Sequence, residues 1–154
     1  MTHYKIMIEY TVKVDANGAR HWYLNGKRHR EDGPAIEYAD GYEAWYLNGQ
    51  RHREDGPAVE WADGDKIWYL NDELHREDGP AIEWANGSRY WYRNGKRHRE
   101  DGPAIERING DKIWYLNGQR LTKAEFNARM NPVVEMTVAE LEKKLNIKNL
   151  KIVK

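Results

Sequence analysis

The chain has 154 residues, no cysteine, and 25 basic against 25 acidic side chains. The lack of cysteine excludes disulfides, thiolate nucleophiles and cysteine-ligated zinc, and it fits a reducing compartment. Residues 22–90 carry eight basic and fifteen acidic side chains, a formal charge of −7, whereas residues 91–154 carry +6. General nucleic-acid binders and proteins of anionic membranes present broad basic surfaces instead, so we expect neither kind of partner.

The N-terminal segment, residues 1–21, begins MTHYKIMIEY and lacks the charged and then apolar pattern of a signal peptide. No apolar run in the chain approaches the roughly 20 residues needed to span a bilayer, so we expect a cytoplasmic protein. Within this segment, KIMIEYTVKVDANG alternates like a β-strand. We therefore predict that residues 1–21 form an N-terminal cap and the first arm of a hairpin.

From residue 22 onwards the chain repeats itself every 23 residues. Full copies occupy residues 22–44, 45–67, 68–90 and 91–113, and a partial copy occupies 114–120. The period aligns five tryptophans and four histidines: Trp22, Trp45, Trp68, Trp91, Trp114, His29, His52, His75 and His98. Such self-similarity is typical of repeat architectures, in which each unit buries its apolar face against its neighbours.

Each repeat contains a turn of the type Asp-Gly or Asn-Gly, first at Asp40-Gly41. These dipeptides favour a two-residue type I′ hairpin turn, which would pair Ile36 with Trp45. In that register the main apolar layer lies on one face, formed by Ile36, Tyr38, Trp45 and Leu47, and the other face carries Ala35, Glu37, Ala44 and Tyr46. A loop one residue longer or shorter would exchange these partners.

A second turn reverses the chain again in each repeat, at Asn25-Gly26, Asn48-Gly49, Asn94-Gly95 and Asn117-Gly118. The constant segment His-Arg-Glu-Asp-Gly-Pro-Ala follows, and its proline cannot donate to a strand ladder, so we predict a loop or an edge strand there. Two reversals per repeat predict a meander of antiparallel strands. The result is a single-layer ribbon that advances by roughly 10 Å per repeat.

The C-terminal segment, residues 121–154, changes to a helical pattern. Thr122 and Glu125 form a capping box that opens a short helix to about Met130, and Thr137 with Glu140 forms a second one. In the second helix Val138, Leu141 and Leu145 share one face. The final LKIVK is a candidate strand. We predict that this segment is a cap that covers the last open edge of the sheet, near Trp114 and Leu116.

The string Tyr23-Leu24-Asn25-Gly26-Lys27-Arg28-His29, with Asp40-Gly41 downstream, resembles the MORN repeat, and the repeat length matches. The resemblance covers roughly residues 10–120 and departs after the His, where the usual His-Gly-x-Gly is His-Arg-Glu-Asp-Gly-Pro-Ala. In this respect the string is more similar to repeat-bearing proteins of bacteria and bacteriophages, and some of their MORN-like relatives are labelled antitoxins. The resemblance implies a single-layer antiparallel β-ribbon used for docking, without chemistry of its own.

The His-Arg-Glu-Asp cluster is the most evident candidate site, as a metal centre or a general base. Equivalent histidines lie about 10 Å apart along such a ribbon, whereas metal–ligand bonds are about 2.0–2.2 Å. We therefore expect no metal site. The His and Asp side chains should instead satisfy backbone groups of the Gly-Pro turn, while the Arg and Glu side chains pair across repeats.

The aromatic residues form two rows. We predict that the Trp45 row is core, and that a second row faces a partner: Tyr38, Trp61, Trp84 and Arg107. Arginine is poorly placed in a dry core, which favours the partner interpretation for this row. The arginines of the constant segment are further candidates for binding: Arg30, Arg53, Arg76 and Arg99.

No HExxH, P-loop, GxSxG or GxGxxG motif occurs, so we expect no enzyme, no catalytic residue and no cofactor. We favour a function in which a monomer or homodimer binds another protein. In a phage or a bacterium, this binding would inhibit a host defence protein or a toxin. One alternative is binding of a nucleotide or signalling molecule by the Arg and aromatic side chains. Another is a structural component assembled edge to edge.

Overall fold

The computed structural model describes residues 9–132 and 136–146. This part of the chain is a single-layer antiparallel β-ribbon followed by two short helices, which confirms the predicted fold class. Both helices come after Leu121, as the capping boxes predicted. The segments 1–8, 133–135 and 147–154 lie outside the described residues, and so does the candidate strand LKIVK.

The strands are short, and most have two residues. They are β1 (Thr11–Val14), β2 (Arg20–Leu24), β3 (Lys27–Arg28), β4 (Ile36–Glu37), β5 (Glu43–Ala44), β6 (Tyr46–Leu47), β7 (Gln50–Arg51), β8 (Val59–Glu60), β9 (Lys66–Ile67), β10 (Tyr69–Leu70), β11 (Glu73–Leu74), β12 (Ile82–Glu83), β13 (Arg89–Tyr90), β14 (Tyr92–Arg93), β15 (Lys96–Arg97), β16 (Ile105–Glu106), β17 (Lys112–Leu116) and β18 (Gln119–Leu121). The helices are α1 (Lys123–Met130) and α2 (Val138–Leu145).

One sheet of twelve strands runs along the described residues in the order β1-β2-β4-β5-β8-β9-β12-β13-β16-β17-β18, with β3 paired to β2. The remaining strands form three separate two-stranded hairpins, β6-β7, β10-β11 and β14-β15. The second, third and fourth repeats therefore each give two strands to the ribbon and one hairpin beside it, whereas the equivalent hairpin of the first repeat, β2-β3, is part of the ribbon. The constant His-Arg-Glu-Asp-Gly-Pro-Ala segment is a loop, as the proline predicted.

The side hairpins close through two-residue turns. At Asn48 and Gly49 both backbone φ angles are positive, 53° and 89°, as a type I′ turn requires. Asp72 holds the glycine position of the third repeat with a φ of 65°. Its carboxylate accepts a hydrogen bond from Nε of Arg51 at 2.6 Å, a contact with the preceding repeat that glycine lacks.

The other turn of each repeat joins two strands of the ribbon and has a three-residue loop, so the two-residue turn predicted there is wrong. These turns contain Asp40-Gly41, Asp63-Gly64, Asn86-Gly87 and Asn109-Gly110. The N–H of Tyr38 donates to the carbonyl of Tyr42 at 2.9 Å, and only Gly41 of the loop has a positive φ, 90°. Asp40 accepts a hydrogen bond from the N–H of Tyr42. The extra loop residue shifts the register by one, and Ile36 consequently pairs with Ala44 instead of Trp45.

The observed register lays two ladders across the ribbon, one on each face, because neighbouring residues in a strand point to opposite sides. The apolar ladder consists of His21, Ile36, Ala44, Val59, Ile67, Ile82, Tyr90, Ile105 and Ile113. The charged ladder consists of Arg20, Glu37, Glu43, Glu60, Lys66, Glu83, Arg89, Glu106 and Lys112. Basic and acidic residues alternate along it except at Glu43, which lies between two glutamates.

The core is built on the apolar ladder and not on the predicted tryptophan row. Its buried centre is Ile36, Ala44, Val59 and Ile67. Partly buried side chains pack against this centre: Tyr42, Tyr46, Trp61, Tyr69, Leu74, Ile82 and Trp84. Trp45 and Trp68 lie outside this cluster, whereas Trp61 and Trp84 pack against it, so the prediction that the Trp45 row forms the core is wrong for these two tryptophans. The register shift is the reason, since it moves Trp45 away from the face of Ile36.

The two ends of the ribbon differ. At the N-terminal end β1 pairs with β2, which confirms the first hairpin arm for Thr11–Val14. At the other end α1 lies against β17 and β18, and both Leu121 and Phe126 are buried. The capping box of α2 is present, but α2 has no buried residue and Val138 and Leu145 are exposed. The expectation that this helix covers the sheet edge with its apolar face is therefore wrong for these two residues.

Glu43 gives a test of the charged ladder, because it faces Glu37 on one side and Glu60 on the other. We expect Glu43→Lys to stabilise the fold by about 1 kcal/mol, since it replaces two like-charge cross-strand pairs with opposite ones. Urea denaturation measures the change. The matched control is Lys66→Glu, which should destabilise by a similar amount because Lys66 lies between two glutamates. A loss of stability in Glu43→Lys would contradict the register.

Candidate functional site

The arginine of the constant segment is held by four groups of its own repeat. In the second repeat Nε of Arg53 donates to Asp55 at 2.9 Å. Its Nη1 donates to the carbonyl of Pro57 at 3.2 Å and to Glu60 at 3.1 Å. The guanidinium carbon also lies 4.0 Å from the ring centroid of Trp45, within cation–π range. We call this arrangement the arginine clamp.

The clamp recurs in all four full repeats. Arg30, Arg76 and Arg99 make the same three hydrogen bonds, to Asp32, Pro34 and Glu37, to Asp78, Pro80 and Glu83, and to Asp101, Pro103 and Glu106. Each also lies over the tryptophan that opens its repeat, at 4.3, 4.0 and 3.9 Å from the ring centroid of Trp22, Trp68 and Trp91. The clamp joins the start, the loop and the charged ladder of a repeat.

The constant glycine of the loop is required by the clamp. A methyl group at Gly56 would lie 2.9 Å from the guanidinium carbon of Arg53, closer than real contacts of this kind. The same clash would occur at Gly33 and Gly79, also at 2.9 Å from Arg30 and Arg76. Glycine is therefore selected here for space and not for a left-handed backbone.

The histidine of each loop joins its repeat to the next one. Nδ1 of His29 accepts a hydrogen bond from the N–H of Asn48 at 3.0 Å, and Nδ1 of His98 accepts one from Asn117 at 3.1 Å. His52 and His75 accept the equivalent bonds from Asn71 and Asn94. Because Nδ1 of His98 is an acceptor, its proton resides on Nε2, which lies 3.1 Å from Glu100.

These contacts change the predicted roles of the His-Arg-Glu-Asp cluster. The arginine pairs within its repeat and not across repeats, while the histidine reaches the following repeat instead of its own Gly-Pro turn. Three hydrogen bonds and a ring contact occupy each guanidinium. These bonds involve Nε and Nη1 and not Nη2, so two of the five N–H donors of each guanidinium are outside the clamp, and whether Arg30, Arg53, Arg76 and Arg99 bind a partner stays a prediction.

Two carboxylates per loop project from the clamps into solvent. We call these eight residues the carboxylate ridge: Glu31, Asp32, Glu54, Asp55, Glu77, Asp78, Glu100 and Asp101. The Glu54 side chain is 86% exposed, and Nε2 of His52 lies 3.7 Å from its carboxylate. The hydrogen bond from Arg53 lowers the pKa of Asp55, and Arg76 and Arg99 lower the pKa values of Asp78 and Asp101 in the same way. Asp55, Asp78 and Asp101 thus stay ionised at neutral pH.

Three open clefts lie between successive loops of the ridge. The first, about 750 Å³, runs between residues 30–33 and 52–55 over Trp45 and Leu47. The second, about 690 Å³, has Trp68 and Leu70 in the equivalent places. The third, about 540 Å³, has Trp91 and Arg93. Each cleft thus has a tryptophan in its lining, with both clamp arginines and ridge carboxylates from the loops on either side.

The predicted partner row lies elsewhere on the ribbon, before the three-residue turns. Tyr38 is 43% exposed and stacks at a tilt on Tyr42, which in turn meets the edge of Trp61. Trp61 and Trp84 pack against the core, whereas Arg107 is exposed and pairs with Asp111 at 3.4 Å. The row is continuous but becomes less apolar toward the C-terminal end. Whether it contacts a partner stays a prediction.

The tryptophans of the clefts were assigned to the core by sequence reasoning. One signal that could have separated the rows is the constant arginine eight positions after each of Trp22, Trp45, Trp68 and Trp91. A glycine three positions after that arginine completes the signal, because it leaves space for a folded-back guanidinium.

Within residues 9–132 and 136–146 no group of three or more His, Asp or Glu side chains is arranged to hold a metal ion. Neither α1 nor α2 is long and apolar enough to cross a membrane. No family model matches the chain, and no curated protein matches it either. The resemblance to MORN repeats therefore stays a prediction.

The clamp predicts that substitutions at Arg53 and Gly56 are strongly coupled in their effects on the free energy of unfolding. Gly56→Ala should destabilise the protein by about 1–3 kcal/mol, because the added methyl displaces the guanidinium from its partners. In an Arg53→Ala background the same substitution should cost almost nothing, since the clash is gone. Urea denaturation of both single variants and the double variant measures the coupling. Equal costs of Gly56→Ala in both backgrounds would contradict the clamp.

The clamps also predict a specific acid sensitivity. Because the pKa values of Asp55 and Asp78 are lowered in the folded state, these two carboxylates add to the free energy of unfolding at pH values above their unfolded pKa near 3.8. This stabilisation is lost as the pH falls below that value. The double variant Asp55→Asn, Asp78→Asn should be less stable than wild type at about pH 5 and should approach it at about pH 2. Thermal melts across this range measure the difference. A gap that stays constant with pH would contradict the prediction.

Proposed function

We propose that this protein is a non-enzymatic binding protein whose carboxylate ridge docks on a basic surface of another protein. The observation that carries the proposal is the ridge itself: eight solvent-facing carboxylates, two from each of four equivalent loops. Such a row steers a basic partner toward the ribbon and raises the association rate at low salt.

The clamps support this proposal because they fix the loops before binding. Each loop is tied at Asp55 and Pro57, or at their equivalents, to an arginine that also packs on a tryptophan. A preorganised loop loses little conformational freedom when a partner binds, so more of the interaction energy appears as affinity. The glutamates of the ridge do not take part in the clamps and are the residues best placed to contact a partner.

The clefts indicate what kind of side chain the partner presents. A lysine or arginine that enters the first cleft would place its aliphatic stem near Trp45 and Leu47 and its charge between the carboxylates of two loops. Because three such clefts follow one another, a partner with several basic side chains fits better than one with a single cation.

The arginine contacts favour protein binding over the nucleotide alternative. A nucleotide site would need guanidinium groups that can hold phosphate with two nitrogens, whereas Nε and Nη1 of all four clamp arginines already bind carboxylates, which leaves Nη2. Following the resemblance to phage and bacterial repeat proteins, we propose that the partner is a toxin or a host defence protein, inhibited in the cytoplasm by occlusion of its basic surface.

The test compares two double variants with the same change in charge. Glu54→Gln, Glu77→Gln removes two charges from the ridge, and Asp40→Asn, Asp63→Asn removes two from the turns elsewhere. Asn86 and Asn109 occupy the equivalent turn positions in later repeats, so the control should fold normally. The partner is captured from the source cells with wild-type protein, purified, and titrated by calorimetry at low and moderate salt.

We expect the ridge variant to bind at least tenfold more weakly, about 1.4 kcal/mol, and the control to bind like wild type. Wild-type affinity should fall as salt rises, and the ridge variant should show a smaller salt dependence. Equal affinity of the ridge variant and wild type would refute the ridge as the binding surface.

A further inference from the structure

The ribbon begins with a unit that lacks the loop sequence of the repeats but keeps their register. Lys13 of β1 pairs with His21, and the pair Ile36 and Ala44 lies 23 residues further on in both strands. The period of the ribbon therefore extends back through residues 9–21. Each side chain of this segment can consequently be compared with the equivalent position of a full repeat.

Tyr10 stands at the position that the constant glycine, Gly33, occupies in the first repeat. Its ring stacks on the ring of His29, with the two centroids 6.2 Å apart and an interplanar angle of 29°. Its hydroxyl oxygen accepts a hydrogen bond from the backbone N–H of Glu31 at 3.3 Å. The first loop is thus contacted by an aromatic ring and one oxygen atom from the preceding unit.

The later loops have a cleft where the first loop has Tyr10. Each cleft is lined by the glycine of one loop and the histidine of the next: Gly33 and His52, Gly56 and His75, and Gly79 and His98. A glycine has no side chain that could reach across. Because the clamp leaves no room for a larger residue at these glycines, the chain cannot fill the clefts from this position.

The hydrogen-bond donor that Tyr10 uses is also open in the clefts. Within residues 9–132 and 136–146, the backbone N–H groups of Glu54, Glu77 and Glu100 donate to no other residue, whereas that of Glu31 donates to Tyr10. Each cleft therefore presents a histidine ring and an unused N–H group, at the two positions that hold Tyr10 on the first loop.

We propose that each cleft binds a tyrosine side chain of the partner protein, in the way that Tyr10 sits on the first loop. The ring lies on the loop histidine, and the hydroxyl oxygen accepts a hydrogen bond from the N–H of Glu54, Glu77 or Glu100. This inference rests on the proposed function, because it names a side chain with which the partner enters the clefts.

Tyrosine suits these clefts better than the other aromatic residues. Phenylalanine brings no acceptor for the N–H group, and the indole of tryptophan is a donor only. A tyrosine also loses little conformational freedom on binding, since it has two rotatable side-chain bonds. The clefts, of about 540 to 750 Å³, are large enough for a drug-sized molecule, so a tyrosine and the stem of a basic residue fit together.

The probe for this site is N-acetyl-tyrosinamide, followed by the backbone amide signals of the isotope-labelled protein in NMR spectra. We expect saturable shifts at Glu54, Glu77 and Glu100 with a Kd on the order of 1 mM, and little change at Glu31, where Tyr10 already sits. Tyr10→Gly opens the equivalent site on the first loop, so Glu31 should then respond as well. N-acetyl-phenylalaninamide is the matched control and should bind about fivefold more weakly, because it lacks one hydrogen bond.

A variant of one histidine tests the ring contact within a single molecule. His75→Ala removes the ring from the second cleft, so the probe should bind there at least tenfold more weakly, as measured at Glu77. The responses of Glu54 and Glu100 should match wild type, and they show at the same time that the ribbon is folded.

The probe and the ridge variant separate this inference from the proposed function. Glu54→Gln, Glu77→Gln keeps the backbone N–H groups and the histidines, so it should bind the probe like wild type although it binds the partner weakly. Normal partner binding by this variant would refute the ridge and leave the response of the clefts to the probe intact. Saturating N-acetyl-tyrosinamide should also weaken binding of the captured partner to wild-type protein.

Three results would overturn the inference. The first is the absence of shifts at Glu54, Glu77 and Glu100 up to the solubility limit of the probe. The second is equal affinity for the tyrosine and phenylalanine probes. The third is a partner whose affinity does not change in saturating N-acetyl-tyrosinamide.

Discussion

The rest of the ribbon depends on one interaction, the arginine clamp. In each full repeat an arginine contacts a tryptophan ring, two carboxylates and a proline carbonyl. Strands of two residues offer few backbone hydrogen bonds, so the repeat cannot be held by its sheet alone. In the second repeat Arg53 ties the first residue, Trp45, to the loop at Asp55 and to the ladder at Glu60. It thereby fixes three segments that are far apart within the repeat.

The clamp also determines what each face of the ribbon can do. On one face the arginines neutralise the glutamates of the charged ladder and hold the loops outward, which leaves the carboxylates of the ridge in solvent. On the other face Ile36 and Val59 are buried under the aromatic side chains of Tyr46 and Trp61. The apolar face therefore carries the core, and the other face carries the clamps and the exposed carboxylates.

Much of this organisation follows from short-range patterns. The 23-residue period, the Asn-Gly turns and the capping boxes at Thr122 and Thr137 were predictable, because each depends on residues within four positions of one another or on their repetition. The clamp was only partly predictable. A cluster of His, Arg, Glu and Asp was evident, but its partners at Trp45 and Glu60 lie eight and seven positions away from Arg53, beyond any local rule.

The sequence by itself determined that this chain is a repetitive antiparallel ribbon with a helical end, because turn and capping preferences act locally. Only the tertiary structure decided which residues share a face. A single extra residue in the loop at Asp40-Gly41 pairs Ile36 with Ala44, moves Trp45 away from the face of Ile36, and leaves Trp61 packed against the core. That loop length cannot be read from the dipeptide, since both turn types accept Asp-Gly. Hydrogen bonds to distant partners also decided that the arginines are held within their own repeats, and that the glutamates beside them remain open to solvent.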